Sequence, residues 1–139
     1  MLSVRKINGK KLPHKAILLV AIMNLITDGT IMNNRIYMDK HLTTEFALQW
    51  RKHIIDKHLP IPSMWTPFYH LKGEVFWHFC PKINKDSLDE FLNFGGTPSI
   101  GKLKKYVEYA YIDEELFIMI ADVNNRKLLE DTLIKNYIL

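Results

Sequence analysis

The sequence predicts an α+β domain that is predominantly α-helical and carries a small antiparallel sheet of two or three strands. A continuous apolar run, Ala16–Met23, is typical of a buried helix, and several later segments repeat apolar residues at helical spacing. Only two short stretches, 35–38 and 74–79, are rich in strand-forming residues. The 139 residues contain no repeat, low-complexity tract or long linker, so we expect a single domain over residues 1–139.

The first half of the chain reads as an arm, a helix and a strand. Residues 1–12 are rich in lysine and arginine and are expected to form an exposed basic arm. Pro13 suits the first turn of a helix, where its missing N–H costs nothing, and this helix should run to about Thr27. Asp28-Gly29 supplies the stop, and Arg35–Met38 is predicted to be a short strand.

Two helices are predicted next. Asp39 is a good N-cap for the first, which has one buried stripe of residues spaced every four positions: Leu42, Phe46, Trp50 and Ile54. The prolines of "HLPIPSMW" end it. In "TPFYHLKG", Thr66 is predicted to be an N-cap, Pro67 a first-turn residue and Gly73 the end of a helix of one to two turns.

The remainder is predicted to be one strand followed by helices. The stretch 74–79, "EVFWHF", should pair with the strand at 35–38. Ser87 with Glu90 forms a capping box, and Gly95-Gly96 ends that helix. Three further helices are expected: one capped by Ser99 with apolar positions Leu103, Tyr106, Val107 and Ala110, one that begins at Asp113, and one that closes the chain.

Charge and cysteine content restrict the class of protein. Residues 1–60 hold ten Lys and Arg against four Asp and Glu, a net charge of +6, whereas residues 61–139 hold nine against eleven, a net charge of −2. The basic half would attract a polyanion. Cys80 is the only cysteine, which excludes an internal disulfide and favours a reducing, cytoplasmic location. The run Ala16–Met23 is too short to cross a bilayer, so no membrane partner is expected.

Histidines and acids were considered as metal ligands and catalytic groups. His70, His78 and Cys80 could converge, but no CxxC or HExxH spacing accompanies them. Metal-dependent nucleases need carboxylates near the scissile phosphate, and Glu74 is the only acid close to the histidines. We therefore expect no metal, no cofactor and no catalysis in this chain.

Two predicted helix starts are candidates for an anion site. Thr66 and Pro67 begin one helix and His70 lies a turn further on, whereas His14 and Lys15 begin the apolar helix. Helix N-termini present free N–H groups and a positive dipole end, which suits a phosphate. A lysine there opposes the dipole, and such local penalties are often kept where a function needs the charge.

At these residues the chain resembles a known family. "PHKAILLVAIMNLITDG", "NRIY", "PFYHL…FWHF" and "LKKYVEYAYIDEELF" occur in the order seen in the N-terminal domain of HNH-type restriction endonucleases, which includes the sulfur-binding domain of phosphorothioate-dependent type IV restriction enzymes. The resemblance covers nearly the whole chain. It implies binding of double-stranded, modified DNA, with cutting by a separate HNH domain or partner.

The resemblance also implies a site. His14, Lys15, Thr66, Pro67 and His70 match the positions that line the sulfur cavity in that family. Arg35, Arg51, Lys52 and Lys72 are expected to add phosphate contacts. This chain departs from the sulfur-binding pattern, because Lys15 replaces an arginine, Thr66 an aromatic residue and His70 a small one, which predicts a more polar and tighter cavity.

Two other functions stay open from the residues alone. One is a small metal-dependent nuclease that uses His70, His78 and a nearby carboxylate, which plasmid cleavage with divalent metals would reveal. The other is a protein-interaction module, which an exposed apolar patch without neighbouring basic residues would favour.

Overall fold

The structure is a computed structural model that describes residues 5–7, 10–54, 58–93 and 95–138, with side chains from residue 13 onwards. Its α-helices are α1 His14–Thr27, α2 Lys40–His53, α3 Trp65–His70, α4 Lys85–Leu92, α5 Ile100–Tyr106, α6 Glu114–Ala121 and α7 Val123–Leu133. Its strands are β1 Arg5–Ile7, β2 Lys10–Leu12, β3 Trp77–Pro81 and β4 Val107–Ile112. A 3₁₀ turn, Leu71–Gly73, follows α3, and a π-helical segment, Ile134–Ile138, follows α7.

The predicted fold class is confirmed. Helices dominate, and the described strands form two antiparallel ribbons, β1–β2 and β3–β4. The first ribbon lies within the segment expected to be a basic arm, whose side chains are outside the described residues. None of the described helices combines the length and the apolarity needed to span a membrane.

Helix α1 is the centre of the core, as its apolar run predicted. It packs against α2, α3 and α7, so that nearly its whole circumference is buried. Helix α2 confirms the predicted cap and stripe: Asp39 Oδ1 accepts a hydrogen bond from the Leu42 N–H at 3.0 Å, and Leu42, Phe46 and Trp50 are buried. The helix therefore turns Arg51 and Lys52 to solvent.

Strand β4 corrects the sequence prediction of one long helix from Ser99. Ser99 does cap α5, since its Oγ accepts from the Lys102 N–H at 3.2 Å, but the helix ends at Tyr106. The segment "VEYAYI" satisfies helical spacing and is also rich in β-branched and aromatic residues. It forms a strand because it pairs with β3. Ile36 bridges Ala110 of β4, so the predicted strand at 35–38 is a single bridge beside β4 and not beside β3.

Two predicted caps are wrong. Helix α3 begins at Trp65 with Met64 as its N-cap, so Thr66 lies inside the first turn and not at the cap position. Helix α4 begins at Lys85, because the Asn84 carboxamide accepts from the Ser87 N–H at 2.8 Å. Asparagine is as good an N-cap as serine, and Asn84 caps this helix in place of the predicted capping box of Ser87 and Glu90.

The Asn34 side chain connects the loop before α2 to β4 by two hydrogen bonds. Its Nδ2 donates to the Ile112 carbonyl at 2.6 Å, and its Oδ1 accepts from the Ile112 N–H at 3.0 Å. Ile112 is buried, so Asn34→Ala would leave both backbone groups unpaired. We expect the variant to lose about 1–3 kcal/mol of unfolding free energy in urea titration. Asn33→Ala, one residue away and exposed, is the control; equal losses for both would contradict this role.

Candidate nucleic-acid interface

The structure brings the start of α1 to the end of the "TPFYHLKG" segment. Helix α1 packs against α3, and Lys15 Nζ lies 3.3 Å from Glu74 Oε2, just beyond the 3₁₀ turn. A Cβ added at Gly73 would lie 4.0 Å from the same ammonium group. The Lys15 and Glu74 side chains are 18% and 4% exposed, so this is a largely buried ion pair that joins the two segments.

Pro67 requires a correction. Its ring was expected to form the apolar wall of an open, anion-sized cavity beside Lys15, but it is less than 2% exposed. The short helix that carries it packs against α1, and Thr66 beside it is only half-buried. Pro67 therefore lies inside the core, and the Lys15 ammonium is paired to Glu74.

His14 packs on α2. Its ring centroid lies 5.0 Å from that of Trp50, a buried residue of the α2 stripe, and His14 itself is half-buried. Trp50 also contacts Phe46 at 6.1 Å between ring centroids. These contacts give His14 a packing role at the start of α1.

His70 and Lys72 face solvent on the other side of this region. The His70 ring Nε2 is hydrogen-bonded to Thr97 Oγ1 at 2.8 Å, and Lys72 Nζ lies 5.1 Å from the centroid of the Tyr69 ring. Burial raises the pKa of the Tyr69 phenol, so the ring under Lys72 stays neutral. Both basic residues are therefore anchored beside Tyr69 and the loop at Thr97.

A hollow of about 270 Å³ opens at this point between α4 and α5. We call it the α4–α5 hollow; it is lined by Tyr69, Phe91, Gly95, Gly96, Thr97, Pro98, Ser99 and Lys102. Gly96 has a φ of +81°, which a glycine adopts without strain. The lining combines aromatic and proline rings with hydroxyl groups and one lysine. With His70 and Lys72 beside it, Lys102 completes a group of three that we call the basic rim.

The other three predicted phosphate contacts do not line this hollow. Arg35 is exposed next to the bridge residue Ile36, and its guanidinium carbon lies 5.3 Å from the ring centroid of Tyr109 in β4. Arg51 and Lys52 are exposed in the last turn of α2. Lys52 lies near Glu130 of α7. Burial raises the pKa of the Glu130 carboxyl, and the positive charge of Lys52 opposes that rise. Burial, and then Lys52, lowers the pKa of His53.

The candidate metal ligands are not brought together. Within the ranges that the structure describes, no three His, Cys, Asp or Glu side chains are placed to hold a metal ion. His78 Nε2 donates to Asp113 Oδ1 at 2.5 Å, whereas His70 contacts Thr97. Cys80 lies opposite Tyr109 on the β3–β4 ribbon.

Sequence reasoning missed Lys102 and the loop 95–99 as parts of a site. Gly95-Gly96 was interpreted only as a helix stop and Ser99 only as a cap. The signal was present in "GGTPS", a glycine, proline and hydroxyl-rich loop one turn before a lysine, which is a composition suited to close approach of a ligand to the backbone.

Comparison with known proteins gives no relative from which a function could be transferred: no protein-family model matches the chain, and no curated protein matches it.

Proposed function

We propose that this chain is a non-catalytic DNA-binding domain whose basic rim, His70, Lys72 and Lys102, holds the DNA backbone at the α4–α5 hollow. The observation that supports it is that Lys102 lines the α4–α5 hollow, while His70 and Lys72, from a distant segment, contact two of its lining residues, Thr97 and Tyr69. Cationic side chains bind phosphates without sequence preference and release counterions, and Thr97 and Ser99 add hydroxyl groups for phosphate oxygens. The net charge of +4, which comes from residues 1–60 and not from the segment that carries the basic rim, would attract a polyanion to the molecule as a whole.

A backbone phosphorothioate is the modification that this hollow fits best. Its sulfur is larger and more polarisable than oxygen and a poorer hydrogen-bond acceptor. Pro98, which is half-buried, supplies an apolar ring next to Lys102, above the buried rings of Tyr69 and Phe91. A phosphate oxygen against such a ring lacks a hydrogen-bond partner, which costs about 1–3 kcal/mol. This cost corresponds to a preference of about tenfold to a hundredfold for sulfur over oxygen. The resemblance implies a cation and a proline ring at Lys15 and Pro67. In this proposal Lys102 and Pro98 provide that pair instead.

In this proposal the chain is the recognition module of a type IV restriction system. Cutting of the bound DNA would come from a separate HNH nuclease domain or partner. The proposal predicts that the chain alone leaves plasmid DNA intact in Mg²⁺, Mn²⁺ or Zn²⁺. Metal-dependent cutting by the wild-type chain that is lost when His70 or His78 is substituted would instead establish the nuclease alternative.

The test is a fluorescence-anisotropy titration of two duplexes with one sequence, one plain and one with a single phosphorothioate. At about 50 mM salt we expect both to bind, the phosphorothioate duplex about tenfold more tightly, with both affinities falling as salt rises. Negligible binding of both duplexes would remove the DNA-binding proposal. Equal, measurable affinities would keep DNA binding and remove the preference for sulfur.

A further inference from the structure

The β3–β4 ribbon has two chemically different faces. Side chains alternate along a strand, so Trp77 and Phe79 of β3 and Ala110 and Ile112 of β4 point into the core. The inner rings pack against α3: the Phe68 centroid lies 5.3 Å from Trp77 and 5.9 Å from Phe79. The opposite face therefore looks away from α3, and it carries the intervening residues His78, Cys80, Tyr109 and Tyr111.

The bridge at Ile36 widens this outer face. The Ile36 N–H donates to the Ala110 carbonyl at 2.7 Å, and the Ala110 N–H donates back at 2.8 Å. Ile36 is buried, so its two neighbours, Arg35 and Tyr37, emerge on the outer side of β4. Tyr37 contacts Tyr109 at 5.4 Å between ring centroids, and Arg35 lies over the same ring.

These side chains form a continuous row of rings, which we call the outer aromatic face: His78, Tyr111, Tyr109 and Tyr37, with Arg35 over the Tyr109 ring. Successive centroids lie 5.2, 6.4 and 5.4 Å apart. Tyr37 and Tyr111 remain 41% and 37% exposed. A hydrogen bond with the Cys80 thiol, together with burial, raises the pKa of Tyr109, so this central ring is uncharged at neutral pH.

The charges around the row favour bases over phosphates as the contacting groups. Asp113 accepts a hydrogen bond from His78, and the next residue, Glu114, accepts one from Asn34, so both acids lie at the end of the row formed by His78 and Tyr111. Arg35 stacks on the row, and a guanidinium can contact both a base plane and a phosphate. Exposed rings on a ribbon offer π-faces to unpaired bases, whereas a duplex buries the faces of its own bases by stacking.

We propose that the outer aromatic face is a second binding site, which takes unpaired nucleobases of single-stranded nucleic acid by stacking on Tyr37, Tyr109 and Tyr111. It lies on the side of the ribbon away from α3, and it does not depend on the duplex-binding role of the basic rim. Stacking contributes about 1–3 kcal/mol per base with little sequence preference. Because one cation takes part, affinity should depend on salt with a slope of only about −0.7.

The experiment measures anisotropy of fluorescein-labelled oligonucleotides of about ten residues, within the usual site size for single strands. The full chain should bind oligo-dT, and Tyr37→Ala/Tyr111→Ala should weaken it about tenfold. Tyr37→Phe/Tyr111→Phe keeps the rings and should restore affinity to within about twofold of wild type. Thermal melting of both double variants verifies that each is folded.

Two ligand controls separate stacking from charge. An abasic oligonucleotide of equal length keeps every phosphate and should bind wild type as weakly as oligo-dT binds the alanine variant. Oligo-rU in place of oligo-dT decides whether DNA or RNA is preferred, and tighter binding of either supports the proposal. Equal binding of abasic and base-bearing strands, or an unchanged affinity in a folded alanine variant, would overturn it.

Discussion

Lys72→Ala/Lys102→Ala is expected to weaken duplex binding by about tenfold or more at about 100 mM salt. Both lysines are exposed: Lys102 lines the α4–α5 hollow, and Lys72 lies over the ring of Tyr69, which is another lining residue. Each phosphate contact contributes about 0.9 to the slope of log affinity against log salt, so the slope should become shallower by about two. Anisotropy titrations at four salt concentrations give both quantities.

The matched control removes the same charge elsewhere. Lys127 and Lys135 are exposed on α7 and the π-helical segment, neither of which forms part of the hollow. Lys127→Ala/Lys135→Ala should keep the salt slope and lower affinity by less than about threefold. If the two double variants lose affinity equally, binding follows net charge and the basic rim is not the site.

Lys15→Met is expected to lower the free energy of unfolding by about 2–4 kcal/mol. The Glu74 carboxylate is almost fully buried, and the variant removes the ammonium that lies 3.3 Å from it. The partial exposure of Lys15 places the expected loss at the lower end of the range for broken buried pairs. Urea titration followed by circular dichroism measures it.

A second substitution distinguishes a lost ion pair from lost packing. Lys15→Met/Glu74→Gln removes both charges and should recover at least half of the lost stability, since a neutral amide costs less to bury than a carboxylate. Lys40→Met, on the exposed start of α2, should change stability by less than about 0.5 kcal/mol. A stable Lys15→Met variant that no longer binds DNA would contradict the structural role and place Lys15 in the interface.

The sequence predicted the elements whose signals are local. The run from Ala16 to Met23 is apolar on every side, and Asp39 lies directly before an amphipathic stripe, so α1 and α2 are found where they were expected. Strand β4 could not be found in this way, because its residues satisfy helical spacing as well as alternation. The choice depends on β3, some thirty residues earlier, whose backbone groups need a partner.

The candidate site was predictable only in part for the same reason. His70 and Lys72 were named from a short motif that lies on one side of the hollow. Lys102 and Pro98 reach it through the packing of α4 and α5, which no local pattern encodes. Pro67 was placed at the surface because the sequence does not state which side of a six-residue helix turns towards α1.

The most direct measurement is an NMR titration of the ¹⁵N-labelled domain with a short phosphorothioate duplex, followed through the backbone amides. Binding at the basic rim predicts that the largest shift changes fall in His70–Gly73 and in 95–102, with little change along α7. Saturating shifts confined to other elements, with both of these segments unmoved, would contradict it.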